Sequence, residues 1–136
     1  MSPTKEKYYR NLFTVAAVYD ALLGITFMFF AECAFAALGI SDKLPAIRGY
    51  LTLLGAFVLV IGIGYFLIAR GDLKRNMDLI LVGVLYKLAY AGTAFYYWSK
   101  GSLPHVAFGA LFGVADAVFF VLMAECYWKL KRQANS

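Results

Sequence analysis

Charged residues are scarce in this sequence. Only 15% of its 136 residues are Asp, Glu, Lys or Arg, whereas soluble domains contain about 25%. Hydrophobic residues make up 62%, and the mean hydropathy is +0.70. Polar residues are therefore too few to cover a water-facing surface, and the composition excludes both a soluble globular domain and a disordered chain. It predicts an integral membrane protein.

Histidine and cysteine are also scarce. His105 is the only histidine, which excludes a haem held by two histidines of one chain. Cys33 and Cys126 form no C-x-x-C pair, and we expect them on opposite sides of the bilayer, beyond disulfide reach. The sequence also lacks a P-loop, a dinucleotide fingerprint and an H-E-x-x-H zinc motif. We therefore predict no catalytic residue, no metal site and no cofactor, and we favour a protein that is not an enzyme.

Four apolar segments are long enough to cross a membrane, since a hydrocarbon core of about 30 Å needs about 20 apolar residues per helix. Strands are excluded because the apolar runs are long and do not alternate. We predict an all-α fold, a single domain in which four transmembrane helices form a bundle. The predicted helices cover residues of about 12–38, 47–69, 77–98 and 104–128.

Positive residues are distributed unequally between the two sides of this predicted bundle. Nine Lys and Arg residues lie in the N-terminal segment, the second loop and the C-terminal segment, and only Lys43, Arg48 and Lys100 lie on the other side. By the positive-inside rule, the N and C termini are cytoplasmic. The net charge of +5 then indicates contact with membrane lipids, and not with nucleic acid. We expect a multi-pass protein of the bacterial cytoplasmic (inner) membrane.

Aromatic residues cluster near the predicted membrane boundaries, where an apolar ring with a polar group anchors a helix. Those assigned to the cytoplasmic boundary are Tyr8, Tyr9, Tyr65, Tyr127 and Trp128. We interpret them as membrane anchors, which carry little information about function.

Three ionisable residues lie deep in three different predicted helices. Asp20 and Lys87 lie nine to ten residues from the cytoplasmic ends of their helices, roughly 14–15 Å into the membrane, and Asp116 lies close to the bilayer centre. Each costs about 2.5–3.5 kcal/mol if left unpaired. We therefore expect all three to face the bundle interior and to meet there, forming a ligand or proton site.

The charges of this group do not cancel. Two aspartates and one lysine, all ionised, leave a net charge of −1 in a medium of low dielectric constant. We hypothesise that one aspartate holds a proton at neutral pH or that the site binds a cation. In the alternative interpretation, Lys87 bridges Asp20 and Asp116 only to fix how the helices pack.

Small residues accompany each buried charge on its helix face. Gly24, Gly83 and Gly113 lie on the faces of Asp20, Lys87 and Asp116, and small residues let membrane helices approach closely. Three tyrosines also lie deep in the predicted helices, namely Tyr19, Tyr86 and Tyr90. They either donate hydrogen bonds to the aspartates or pack as ordinary aromatic residues.

A second ion pair is expected at the outer end of the bundle. Arg48 lies on the small-residue face of the second predicted helix. Glu32 and Asp42 are the acids within its reach, and we favour Glu32.

The sequence resembles the small bacterial four-helix membrane proteins grouped as DoxX-like. The residues that carry the resemblance are Tyr19-Asp20-x-x-x-Gly24, Gly62-x-Gly64-Tyr65, and the isolated Lys87 and Asp116. It covers the transmembrane plan of most of the chain through short motifs. The resemblance implies a subunit or partner of a membrane redox or quinone-linked system, and it assigns no catalytic residue.

Three functions remain open at this point. The leading one is a small non-enzymatic membrane protein, either a subunit or a component that binds a ligand or lipid, with the polar site at mid-membrane. The second is a proton- or cation-coupled small transporter in which Asp20 is the coupling carboxylate. The third is a quinone-associated redox accessory subunit. Since four helices enclose little volume, we expect a homo-oligomer or a larger membrane complex.

Overall fold

The computed structural model describes residues 1–135, and these contain helices and no strand. Four helices are long and apolar enough to cross a membrane, so the chain is an all-helical, multi-pass membrane protein. We number the helices as follows: α1 Pro3–Phe29, α2 Ala31–Ala37, α3 Gly49–Arg70, α4 Met77–Ser99 and α5 Val106–Ala134. A short 3₁₀ turn, Ser41–Lys43, lies between α2 and α3.

Local sequence signals explain where several helices begin and end. The Ser2 side chain caps α1 by accepting a hydrogen bond from the Lys5 backbone N–H at 3.2 Å, and Pro3 fits the first turn. Gly101 adopts φ +67° just beyond the end of α4, a conformation that glycine adopts without strain. At the end of α3, the Arg10 guanidinium donates to the Ala69 carbonyl oxygen at 2.8 Å, which satisfies a helix-terminal acceptor.

The first apolar segment is not one continuous helix over residues 12–38. The helix begins earlier, at Pro3, and it is interrupted at Phe30, whose φ of −125° and ψ of 21° lie outside the helical range. The interruption redirects α2 so that Phe35, only 3% exposed, packs edge-on against Phe108 with ring centroids 5.7 Å apart. Burial of this ring accounts for the break, which the continuous apolar run does not reveal.

The last span also differs from the regular helix predicted over residues 104–128. It begins at Val106, where the His105 Nδ1 accepts the Ala107 backbone N–H at 3.0 Å and caps the helix. Residues Gly109–Ala115 form a π-helical segment, and α-helical geometry resumes at Asp116. Sequence periodicity does not distinguish a π-helical insertion from an α-helix of similar length.

The four long helices form two closely packed pairs. In the first pair, α1 crosses α3 at Gly24 and Gly55, where a Cβ added to Gly24 would lie 2.7 Å from the Gly55 carbonyl oxygen. In the second pair, α4 packs against α5, and the rings of Phe95 and Trp98 cover Gly113 and Gly109. The pair α1–α3 and the pair α4–α5 then pack against each other to close the bundle.

The crossing of α1 and α3 provides a test of the packing. We expect Gly24→Ala to lower the free energy of unfolding by about 1–3 kcal/mol, because the new methyl group overlaps backbone atoms that cannot move aside. Thermal or denaturant unfolding in detergent micelles measures the change. Gly92→Ala is the matched control, since a Cβ there meets nothing within 4 Å, and it should be neutral or stabilising by about 0.5–1 kcal/mol. Equal effects of the two substitutions would contradict this packing.

Candidate functional site

The structure brings Asp20, Lys87 and Asp116 together in the middle of the bundle. The Lys87 Nζ lies 3.0 Å and 3.1 Å from the two carboxylate oxygens of Asp20, and 2.9 Å from Oδ1 of Asp116. Lys87 is 0% exposed and each aspartate is 2% exposed. We call these three residues the triad. It joins α1, α4 and α5, as expected from the cost of leaving any one of the charges unpaired in lipid.

Lys87 is saturated by its two partners. An ammonium group has three N–H donors, and the three short contacts to carboxylate oxygens account for them. The geometry therefore offers no donor of Lys87 to a further ligand while the triad is closed.

Four aromatic rings surround the ammonium group. Each ring centroid lies within the distance of about 6 Å at which a cation is attracted to an aromatic face. The distances from Lys87 Nζ are 4.9 Å to Phe119, 5.3 Å to Tyr19, 5.5 Å to Tyr65 and 5.5 Å to Tyr86. Together with the carboxylates, these rings replace the water that a lysine normally keeps.

The predicted supporting tyrosines act mainly as aromatic surroundings. The Tyr19 hydroxyl donates to the Leu111 carbonyl oxygen at 2.6 Å and not to an aspartate. Tyr86 and Tyr90 lie against each other with centroids 4.7 Å apart. Of the two roles considered for these residues, the structure thus supports aromatic packing, with a bond from Tyr19 to the backbone of α5.

Tyr65 has a role that the sequence did not reveal. The prediction that Tyr65 is an anchor at the membrane boundary is wrong, because its side chain is buried inside the bundle. Tyr65 is 1% exposed, and its hydroxyl donates to the Gly83 carbonyl oxygen at 2.7 Å. A Cβ on Gly83 would lie 2.6 Å from the Tyr65 ring. Gly83 lies one turn before Lys87 on the same helix face. This glycine was the feature of the sequence that could have indicated a large side chain packed against α4 at that point.

The three predicted glycines serve three different contacts. Gly83 admits Tyr65 beside the triad, as described above. Gly24 lies at the crossing of α1 with α3, and Gly113 faces Phe95, whose ring would be 3.3 Å from an added Cβ. Gly83 therefore lies against a ring that surrounds the triad, while the Gly113 carbonyl oxygen accepts the backbone N–H of Asp116.

The predicted ion pair between Glu32 and Arg48 is present at the end of the bundle opposite the chain termini. The Arg48 Nε lies 3.3 Å from Glu32 Oε1, and the Arg48 Nη1 donates to the Pro45 carbonyl oxygen. The two side chains are 46% and 74% exposed. Of the two acids considered, Glu32 is the partner, and an exposed pair of this kind adds little to stability.

The end of the bundle near the termini has its own polar cluster, centred on Glu125. One of its carboxylate oxygens accepts the Tyr9 hydroxyl at 3.0 Å and lies 3.0 Å from Lys129 Nζ and 3.5 Å from Lys5 Nζ. The cluster ties α1 to α5 where both helices leave the apolar region.

No group of three or more His, Cys, Asp or Glu side chains within residues 1–135 is arranged to hold a metal ion. Asp20 and Asp116, the two acids that lie close together, both face the Lys87 ammonium. The arrangement is therefore suited to holding a cation of the protein itself.

A cavity of about 390 Å³ lies between the two helix pairs, in the half of the bundle away from the chain termini. Almost all of its lining is apolar, and it is open between α3 and α4, where Ala89 and Thr93 are exposed. Its lining residues are Phe27, Leu51, Leu54, Ala89, Tyr90, Thr93, Ala94, Tyr97, Leu103, Phe108 and Phe112. We call it the apolar cavity. It adjoins the triad through Tyr90, which contacts Tyr86.

Removal of Lys87 alone should destabilise the protein more than removal of all three charges of the triad. We expect Lys87→Met to lower the free energy of unfolding by about 3–5 kcal/mol, because two carboxylates would remain buried without a partner. Adding Asp20→Asn and Asp116→Asn to this variant should restore much of the loss. Unfolding in detergent micelles measures both variants.

Lys129→Met is the matched control for this comparison, since Lys129 also lies 3.0 Å from a carboxylate oxygen but its side chain is 38% exposed. It should change stability little. A triple variant that is less stable than Lys87→Met would contradict the account of the triad as mutually neutralising charges.

Comparison of the chain with protein-family models, with curated proteins and with solved structures finds no match. The resemblance to DoxX-like proteins therefore stays an expectation from the sequence, and the function is argued below from the geometry of this chain.

Proposed function

We propose that this protein is a small non-enzymatic membrane protein that binds one lipid or similar amphiphile in the apolar cavity. The observation that carries the proposal is the cavity itself. Its volume of about 390 Å³ lies within the range of about 300–1,000 Å³ that is typical of ligand sites. Its opening between α3 and α4 faces the surface that the apolar spans present to lipid.

The lining of the cavity favours a hydrocarbon chain as the bound group. Aromatic and aliphatic side chains from both helix pairs form its walls, and the polar atoms available are hydroxyl groups such as those of Tyr90, Thr93 and Tyr97. A chain that leaves the bilayer for this cavity exchanges one apolar environment for another. Binding would then depend on shape and on the fixed position of the walls, and not on the hydrophobic effect.

The triad has a structural role in this proposal. Lys87 is fully buried and uses its three N–H donors on Asp20 and Asp116. It therefore holds α4, which supplies one wall of the cavity, against α1 and α5. The ring of Tyr86 contacts both the Lys87 ammonium and the ring of Tyr90, so the position of the triad sets that of a cavity wall.

The transporter remains a second candidate, favoured by the charge of the triad. Two carboxylates and one ammonium carry a formal charge of −1, which a proton or a bound cation would cancel. Transport requires access to this site from each side in turn, and the closed geometry of the triad gives less support to transport than to a structural role. The quinone-associated subunit rests on the family resemblance alone.

The environment of the protein is part of the same proposal. The unequal distribution of Lys and Arg supports cytoplasmic termini in a bacterial inner membrane. A lipid-binding component of this size is proposed to act as a homo-oligomer or within a larger membrane complex, because four spanning helices enclose little volume.

Filling the cavity tests ligand binding. We expect Ala89→Phe to weaken the binding of a dioleoyl phospholipid by about tenfold, equivalent to about 1.4 kcal/mol, because the new ring occupies space between α3 and α4. Native mass spectrometry of the detergent-solubilised protein, titrated with the lipid after delipidation, measures the affinity.

Leu88→Phe is the control for Ala89→Phe. Leu88 is the neighbouring exposed residue of α4 and does not line the cavity. The control should bind lipid as the unmodified chain does. If the two variants bind equally well, or if the unmodified protein retains no lipid, the proposed function is wrong.

Cysteine labelling tests the orientation. Cys33 is exposed at the end of the bundle opposite the termini, whereas Cys126 is buried. With cytoplasmic termini, a membrane-impermeant maleimide should modify Cys33 in spheroplasts with an intact inner membrane. Lys74→Cys, made in a Cys33→Ser background, places a thiol in the loop between α3 and α4 and should react only after permeabilisation. The opposite labelling pattern would reverse the orientation.

A further inference from the structure

The apolar cavity has a polar neighbour at the end of the bundle that carries Arg48. This second cavity, of about 230 Å³, has nearly equal polar and apolar lining. It shares the wall residues Phe27 and Leu51 with the apolar cavity. Glu32, Arg48 and Thr52 supply charged and hydroxyl groups to it. An amphiphile whose chain occupies the apolar cavity would therefore have its polar end within reach of this cavity.

We propose that Glu32 and Arg48 bind the headgroup of a zwitterionic lipid that carries a phosphate and a primary ammonium, as an ethanolamine phospholipid does. This inference rests on the proposed function, since it assumes a lipid chain in the apolar cavity. It adds the headgroup class, which the apolar cavity does not determine.

Arg48 retains hydrogen-bond donors for a phosphate. Its Nε contacts Glu32 and its Nη1 donates to the Pro45 carbonyl oxygen, while Nη2 makes no hydrogen bond within residues 1–135. A guanidinium group matches the geometry of phosphate oxygens and binds them strongly. Arg48 also directly precedes α3, whose first residue is Gly49, and the positive end of that helix dipole favours an anion at the same place.

Glu32 supplies the complementary acceptor. Its Oε1 contacts Arg48, and its Oε2 makes no hydrogen bond within the described part of the chain. The side chain is 74% exposed, so this carboxylate is accessible to a group outside the bundle. A primary ammonium has N–H groups to donate to this carboxylate, whereas a choline headgroup has none.

The charges of the pair decide between lipid classes. Arg48 alone would favour any anionic phospholipid, but the adjacent Glu32 carboxylate repels a lipid with a net negative charge. The pair sums to zero and offers one site of each sign, with the contact atoms 3.3 Å apart. A headgroup that also sums to zero and carries both signs on neighbouring groups satisfies both side chains at once.

The experiment compares three lipids that have the same dioleoyl chains and differ in headgroup. The delipidated protein is titrated with the ethanolamine, choline and glycerol phospholipids, and binding is measured by native mass spectrometry. We expect the ethanolamine lipid to bind about tenfold more tightly than the other two, as for the loss of one charge-assisted hydrogen bond.

A change in lipid preference identifies the residue that binds the ammonium of the headgroup. Glu32→Gln removes the carboxylate and leaves Arg48, so this variant should prefer the anionic glycerol lipid. Asp42→Asn removes the same charge from the neighbouring 3₁₀ turn and should keep the preference for ethanolamine. The double variant Glu32→Gln, Arg48→Gln should bind all three lipids with affinities within about twofold, since neither charge remains.

The outcomes separate this inference from the function on which it rests. If the three lipids bind the unmodified protein equally and Ala89→Phe weakens all of them, the apolar cavity binds lipid and the headgroup proposal is wrong. A similar switch in Asp42→Asn would attribute the preference to general surface charge and would also overturn it. If no lipid binds the unmodified protein, the proposed function is wrong, and the headgroup inference that rests on it is wrong as well.

Discussion

The contact of the Lys87 ammonium with two carboxylates is the interaction on which the rest of this bundle depends. Within each helix pair, glycines allow close packing. In the first pair the backbones meet at Gly24 and Gly55, and in the second the rings of Trp98 and Phe95 lie against Gly109 and Gly113. Between the pairs, polar bonds are prominent. Lys87 binds Asp20, the Tyr65 hydroxyl binds the Gly83 carbonyl, and the Tyr19 hydroxyl binds the Leu111 carbonyl. In lipid, where apolar surfaces gain little from meeting each other, such bonds specify which faces of the two pairs associate.

The difference between glycine packing within the pairs and polar bonds between them explains where the cavity lies. The polar bonds between the pairs are concentrated at mid-bundle and, around Glu125, at the end near the termini. Toward the other end, Phe27 meets Phe108 and Phe112 across the interface with centroids 6.2 Å and 5.9 Å apart. Large rings fill that region without closing it, so space remains between α3 and α4. The triad and the cavity thus follow from one arrangement. The two helix pairs are bonded to each other at mid-bundle and are separated toward the end away from the termini.

The sequence was sufficient for features that a large free energy determines. The cost of burying Asp20, Lys87 or Asp116 alone is comparable to a substantial part of the stability of a domain, so their meeting could be predicted without coordinates. The break at Phe30, the burial of Tyr65 and the bond from Tyr19 to Leu111 could not. Each depends on which neighbour fills a particular space, and such differences amount to about 1 kcal/mol, well below what hydropathy and spacing resolve.

The π-helical segment shows how the triad and the cavity are connected through one helix. Gly109–Ala115 lies directly before Asp116 and contains Phe112, which lines the apolar cavity. A π-helical turn is rare and persists where surrounding contacts compensate for its cost. Here the Leu111 carbonyl oxygen accepts the Tyr19 hydroxyl at 2.6 Å, and Asp116 is held by Lys87 just beyond the segment. Because a return to α-helical geometry would rotate Phe112 relative to Asp116, the contacts that stabilise this segment fix the shape of the cavity and the geometry of the triad together.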